Sequence, residues 1–133
     1  MKVFVGGCKQ AKLDIACCYL GISKDNDSVY DGADMAVEHF YKARVINHFH
    51  LFVKNNIDLF ETQEKRLVFL NNLMQNNPDI VIIGDEIGSG IVPLEQSDRI
   101  YRDSYGRMMC MLSQNAEIVV RIICGICQEI KGP

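Results

Sequence analysis

Two acids, Asp85 and Glu86, follow directly on the apolar β-branched run Ile80 to Ile83. Such a run is the pattern of a strand buried on both faces of a parallel sheet. Open α/β sheets bind their ligands at the carboxyl ends of such strands. Gly88 and Gly90 then allow a sharp turn, and Pro93 keeps the chain extended. Ser97 or Asp98 is placed to cap a helix carrying Arg99, Arg102, Asp103 and Arg107. Arg99 and Arg102, three apart, share a helix face, as do Asp103 and Arg107, four apart. Acids on a turn beside a helix of arginines suit a phosphorylated ligand and its metal. They equally suit a turn cap and solvated salt bridges.

A second constellation lies at the amino end. Val3 to Val5 is a minimal apolar strand, followed by Gly6-Gly7-Cys8-Lys9-Gln10-Ala11-Lys12-Leu13 and a helical pattern through Leu20. Strand, glycine turn and helix form the layout of a phosphate-binding loop, whose amides and helix amino terminus cradle an anion. Against the pattern G-x-x-x-x-G-K-[ST], Gly6 and Lys12 fit. Ala11 replaces the second glycine and Leu13 the hydroxyl residue. A Cβ at Ala11 penalises positive φ or close phosphate approach, and Leu13 cannot ligate magnesium. Gly6, Gly7, Lys9 and Lys12 are candidates for a reshaped anion site; a structural strand-to-helix turn is the alternative.

The elements that must position these residues follow from periodicity. Gly21 to Asp34 reads as loop, with Ser28 to Tyr30 a short strand. Met35 to Lys54 reads as one long helix, since Val37, Phe40, Tyr41, Val45, His48, Phe49 and Phe52 recur at three- and four-residue steps. Thr62 to Gln75 is an amphipathic helix ended by Asn76-Asn77-Pro78, and Ser97 to about Gln114 is another. Ile118 to Ile123 is the last clear strand. Alternating strands and helices give an α/β domain with a mostly parallel sheet.

At 133 residues the chain is read as one domain, 1–133, and 48% apolar with 23% charged residues describes an ordinary globule. A net charge of -3 gives no general attraction for nucleic acid. No apolar run approaches the roughly 20 residues of a membrane helix, and MKVFVGG leaves no room for a signal peptide. A cytoplasmic, reduced protein is expected. Of six cysteines, most are expected in apolar surroundings. Cys124-Gly-Ile-Cys127 has zinc-knuckle spacing without a second pair.

The order DEIGSGIVPLEQSDRIYRDSYGR resembles NEVGxGIVPxxxxxRxFRDxxGR, a segment of the bifunctional adenosylcobinamide kinase/adenosylcobinamide-phosphate guanylyltransferase family of cobalamin assembly. Glu86, Gly88, Gly90, Ile91, Val92, Pro93, Arg99, Arg102, Asp103, Gly106 and Arg107 fall in step without a gap. The family's loop, GGxRSGKS, lies at the same place in the chain as Gly6 to Leu13. Arg44-Val-Ile-Asn-His48 resembles its R-I-x-x-H, whose histidine carries the guanylyl group covalently. Gly125 to Lys131 resembles its closing G-x-P-x-x-L-K without the proline. Gly106 to Cys110 departs from its G-R-L-N-Q, and Asp85 stands where it usually has Asn. Its strand ending in D-C-L-T, which supplies a magnesium-binding acid, has no visible counterpart.

The resemblance implies a three-layer P-loop-like α/β domain, reduced by one strand–helix unit, in a homo-oligomer. It implies GTP or ATP with Mg2+ as ligands and a corrinoid alcohol or its phosphate as partner, with no role for nucleic acid or membrane. In that reading Lys12 meets the triphosphate, His48 is the nucleophile, and Arg44 steadies the phosphate. Glu86, Arg99 and Arg102 shape the neighbouring pocket. Apart from the resemblance, Asp85 with Glu86, two acids after an apolar strand, is the candidate metal pair that would substitute for the missing acid. The alternative function is a non-catalytic binding or assembly module that retains the fold.

Overall fold

Apolar β-branched runs build the centre of this molecule. The computed structural model describes residues 1–7, 11–87 and 95–132. The strands are β1 (Lys2–Gly6), β2 (Val29–Asp31), β3 (Val45–Asn47), β4 (Val81–Asp85), β5 (Ile118–Ile123) and β6 (Ile126–Lys131). They form one six-stranded sheet in the order β2-β3-β4-β1-β5-β6. All neighbouring pairs are parallel except β5 with β6. The helices are α1 (Lys12–Leu20), α2 (Phe49–Asn55), α3 (Gln63–Asn76) and α4 (Gln96–Asn115).

Side chains alternate across a strand, and the two faces of the sheet divide accordingly. Phe4, Val81 and Ile83 pack with Ala16 of α1 on one face. Val3, Ile80 and Ile82 face the other, where Phe49 and Phe52 of α2, Leu70 and Leu73 of α3, and Met108 and Leu112 of α4 cover them. The result is the three-layer α/β arrangement expected from the sequence. Thr62 caps α3 by accepting from the Lys65 amide. The cap expected at Ser97 or Asp98 falls instead at Glu95, with no side-chain hydrogen bond.

Two expectations need correction. Met35 to Lys54 is not one helix: a 3-10 turn (Val37–Tyr41), β3 and α2 share it. Val45 and Ile46 are fully buried between β2 and β4, and burial on both faces outweighs an apparent helical period. Val45 faces the other side of the sheet, whereas part of that period, Val37, Phe40, Phe49 and Phe52, does turn to one cluster. There Phe40, Phe49 and Phe52 meet Phe60 and Phe69, largely edge to face. The strand β3 precedes His48; between His48 and α3 stand only α2 and a 3-10 turn (Ile57–Leu59), with no strand.

Nor is β5 the last strand. Cys124 and Gly125, both at positive φ (51° and 75°), make a two-residue hairpin that returns the chain as β6. The hairpin carries Cys124 and Cys127 into solvent; Cys18 and Cys110 are exposed too, and of the described cysteines only Cys17 is buried. Apolar surroundings were expected for most of them. The strand β6 is exposed along its length, with Ile126 and Ile130 open to solvent. No helix among the described residues is long and apolar enough to cross a membrane.

Candidate functional site

The parallel strands bring their carboxyl ends to one edge of the sheet. Asp31 of β2 lies beside Asn47 of β3, and Asp85 of β4 beside Gly6 of β1. The chain leaves β1 toward the β2 side, returns through β3 and β4, then crosses β1 to reach β5. That reversal opens a crevice at the carboxyl ends of β1 and β4, where ligands of open α/β sheets sit.

Gly6 permits the tight exit from β1, because a Cβ there would strike the Ile122 carbonyl on β5. Ala11 adopts φ 60° and ψ 30°, the left-handed conformation expected of a glycine. The turn keeps this shape at a cost of about 1–2 kcal/mol for a residue with a Cβ. Lys12 opens α1 and is buried. Its ammonium donates to the Gly7 carbonyl at 2.6 Å and lies 2.8 Å from Asp85 Oδ1. Leu13, in place of a hydroxyl, packs against the apolar cluster under α1. Cys8 and Lys9 lie outside the described residues, as do Gly88, Gly90, Ile91, Val92 and Pro93.

Asp85 is held from several sides. Its second carboxylate oxygen is 3.5 Å from His50 Nε2, and its own amide donates to His50 Nδ1 at 3.3 Å. Accepting at Nδ1, the neutral ring must carry its proton on Nε2, facing the carboxylate. Burial lowers the His50 pKa and keeps the ring neutral, although Asp85 pulls the other way. The Tyr105 hydroxyl donates to the Asp85 carbonyl at 2.7 Å and the Tyr101 hydroxyl to the His50 carbonyl at 2.9 Å. Burial pushes both phenols up, Tyr101 to about 12, so both stay protonated donors. A Cβ on Gly84 would strike the Tyr105 hydroxyl, so glycine makes the room for it.

Glu86 turns the other way. Its amide donates to the Gly6 carbonyl, and its carboxylate takes Arg121 of β5 through two hydrogen bonds of 2.7 and 3.2 Å. Asp85 and Glu86 therefore do not converge as a metal pair. Among the described residues no three His, Cys, Asp or Glu side chains gather to hold an ion. With Leu13 offering no oxygen, these residues do not form a magnesium site of their own. Beyond Asp85, a cleft of 410 Å³ is lined by Asp85, Glu86, Tyr105, Met109 and Arg121. Arg99 and Arg102 lie near the amino end of α4, Arg99 exposed and Arg102 partly buried. Arg107 pairs along the helix with Asp103, as spaced.

His48 follows β3 at φ 54°, just before α2, with its ring 43% exposed. Its Nδ1 is 3.0 Å from Asp31 Oδ2. An ionised carboxylate only accepts, so Nδ1 carries the proton and the lone pair lies on Nε2. Arg44 is not one helix turn from His48: β3 separates them, Arg44 at its amino end and His48 past its carboxyl end. Arg44 is thus at the opposite edge of the sheet from Lys12. His39 stacks on Tyr30 in the 3-10 turn.

The structure brings Gly6, Gly7, Lys12, His48, Asp85 and Glu86 to one edge. Sequence reasoning passed over His50, Asp31, Tyr101 and Tyr105. A reading of Arg44 to Asn47 as a strand would have exposed His48 and His50 as residues just past its carboxyl end.

A family model described as cobinamide kinase / cobinamide phosphate guanyltransferase matches residues 25–130 of the 133. The matched stretch begins after the loop at Gly6 to Lys12 and contains His48, Asp85 and α4. No curated protein matches the chain.

Proposed function

This chain belongs to the cobinamide kinase / cobinamide phosphate guanyltransferase family of cobalamin biosynthesis, and from that premise we propose that it binds a nucleoside triphosphate at the carboxyl edge of β1 and β4. One observation carries the reading: Ala11 holds the left-handed turn that sets Lys12 at the start of α1, its ammonium in the crevice beside Gly7. A lysine there gives charge-assisted contacts to phosphate oxygens. Glu86 and Arg121 line the neighbouring cleft and supply the polar rim, and Arg99 and Arg102 of α4 are the further candidates for phosphate contact. The preferred nucleotides are GTP and ATP, and a corrinoid alcohol or its phosphate is the second ligand. Because Leu13 offers no ligand, binding is weak and little affected by magnesium. Titrating the protein with ATP and with GTP, with and without magnesium, tests this directly. Binding that appears only with magnesium contradicts it.

Guanylyl transfer asks more of the site. His48 is partly exposed, and with Nδ1 donated to Asp31 its Nε2 lone pair is available to attack an α-phosphorus. Bond formation from Nε2 to phosphorus would expel pyrophosphate and leave a phosphoramidate. The loss of the hydroxyl at Leu13, and the lack of a strand between His48 and α3 to supply the family's magnesium-binding acid, favour the second reading, a binding module that kept the fold without the transfer step. Incubation with GTP labelled at the α-phosphate separates the two. Acid-labile, base-stable label lost in His48→Ala but kept in His50→Ala supports transfer; its absence from a protein that binds GTP supports the module. We also propose a homo-oligomer, which the exposed edge strand β6 supports; light scattering showing a monomer at high micromolar concentration would contradict it.

A further inference from the structure

The proposed nucleotide site rests on Lys12, and what Lys12 holds in this structure is a carboxylate. Its ammonium has three donors; one goes to Gly7 and another to Asp85 Oδ1 at 2.8 Å, in a pair whose side chains are only 7% and 16% exposed. We propose that Asp85 is an internal counter-anion that occupies the phosphate position on Lys12 and sets how tightly this edge binds a polyphosphate. The inference deepens the nucleotide reading and depends on it.

Three features make Asp85 a built clamp and not a passing surface contact. His50 fixes it twice, accepting from its amide and placing Nε2 3.5 Å from its free oxygen. Tyr105 pins its carbonyl from α4, in space that Gly84 leaves clear. Asp85 is also the register partner of Gly6, so the sheet itself delivers it to the loop. A carboxylate so held already neutralises the Lys12 ammonium. An incoming phosphate must displace it from Lys12 or sit beside it, and like charges in a partly buried crevice oppose that strongly. Neutral or singly charged ligands face a smaller barrier, so Asp85 also selects against highly charged phosphates.

The test measures magnesium-free binding of ATP and of inorganic tripolyphosphate by calorimetry, for wild type, Asp85→Asn, Lys12→Ala and the double variant. The isosteric amide keeps the backbone contacts to His50 and Tyr105 while removing the charge. Asp85→Asn is expected to bind both probes at least tenfold more tightly than wild type, with the gain lost in the Lys12→Ala background. If wild type binds ATP and Asp85→Asn binds it equally or more weakly, the counter-anion role is overturned and the nucleotide site stands. If neither protein binds either probe, both are overturned. Circular dichroism establishes folding; should Asp85→Asn fail it, Asp85→Ser is put through the same titration under the same criteria.

Discussion

The carboxyl edge of the sheet holds two histidine–aspartate pairs that look alike in composition and differ in use. His50 and Asp85 are mostly buried, and Lys12 shares their carboxylate. His48 and Asp31 lie two strands away along the same edge, each more than two-fifths exposed. Withdrawn from water, a charge is costly unless paired and hydrogen-bonded; the inner pair has such partners, and Asp85 ties Lys12 of α1, His50 of α2 and Tyr105 of α4 to β4. The outer pair is wetted, and its energetic worth is small. What it offers instead is access: an oriented imidazole whose second nitrogen is directed by Asp31. Burial therefore separates a histidine locked among its partners from one that solvent reaches.

The comparison breaks first, and most severely, at Asp85. Asp85→Ala leaves Lys12 buried without its counter-charge and is expected to cost about 3–5 kcal/mol of stability in denaturant unfolding. Asp31→Ala, at the outer pair, is expected to cost no more than about 1 kcal/mol. Equal losses would mean that the two pairs do not differ as described. Next in size is Gly84→Ala, whose methyl group meets the Tyr105 hydroxyl and forces it from the Asp85 carbonyl. A loss of about 1–3 kcal/mol is expected from overpacking, read from the shift in the urea midpoint.

Smaller effects sharpen the picture. Ala11→Gly relieves a left-handed alanine at the loop and should stabilise the fold by up to about 1 kcal/mol, the strain removed less the added freedom of the unfolded chain. The smallest effect is a pH slope. His50 has a lowered folded pKa through burial, so below its unfolded value of about 6.5 the unfolded chain binds more protons than the fold. The stability it contributes is fully present above that value and is lost as pH falls through the folded pKa. His50→Gln should flatten that part of the stability–pH curve; an unchanged slope would show that the ring does not remain neutral.

Much of this architecture was legible in the sequence. Buried strands announce themselves by continuous β-branched runs, and Val3–Val5, Ile80–Ile83 and Ile118–Ile123 all became parallel strands. The helix expected after the Gly6-to-Lys12 stretch starts at Lys12, and the cost foreseen at Ala11 is visible as its positive φ. Less was legible where elements are short. The three-residue strand β3 has too few positions to show a period of two, and the aromatic residues around it mimicked a helix. With β3 hidden, His48 looked like a helix residue one turn from Arg44, and His50 had no assigned role. Partner choice was harder still. Adjacent acids in sequence gave no sign that Asp85 would turn to Lys12 and Glu86 to Arg121, because those partners come from α1 and β5.

The central claim is that Lys12, at the start of α1, is the contact for nucleotide phosphate. Calorimetry of wild type and Lys12→Ala with ATP, each with and without magnesium, tests it most directly. Weak binding that changes little with magnesium is predicted for wild type, with Lys12→Ala weaker by about 1.5–3 kcal/mol, the scale of one hydrogen bond to a charged group. Tight, magnesium-dependent binding left unaltered by Lys12→Ala would place the nucleotide elsewhere and contradict the account.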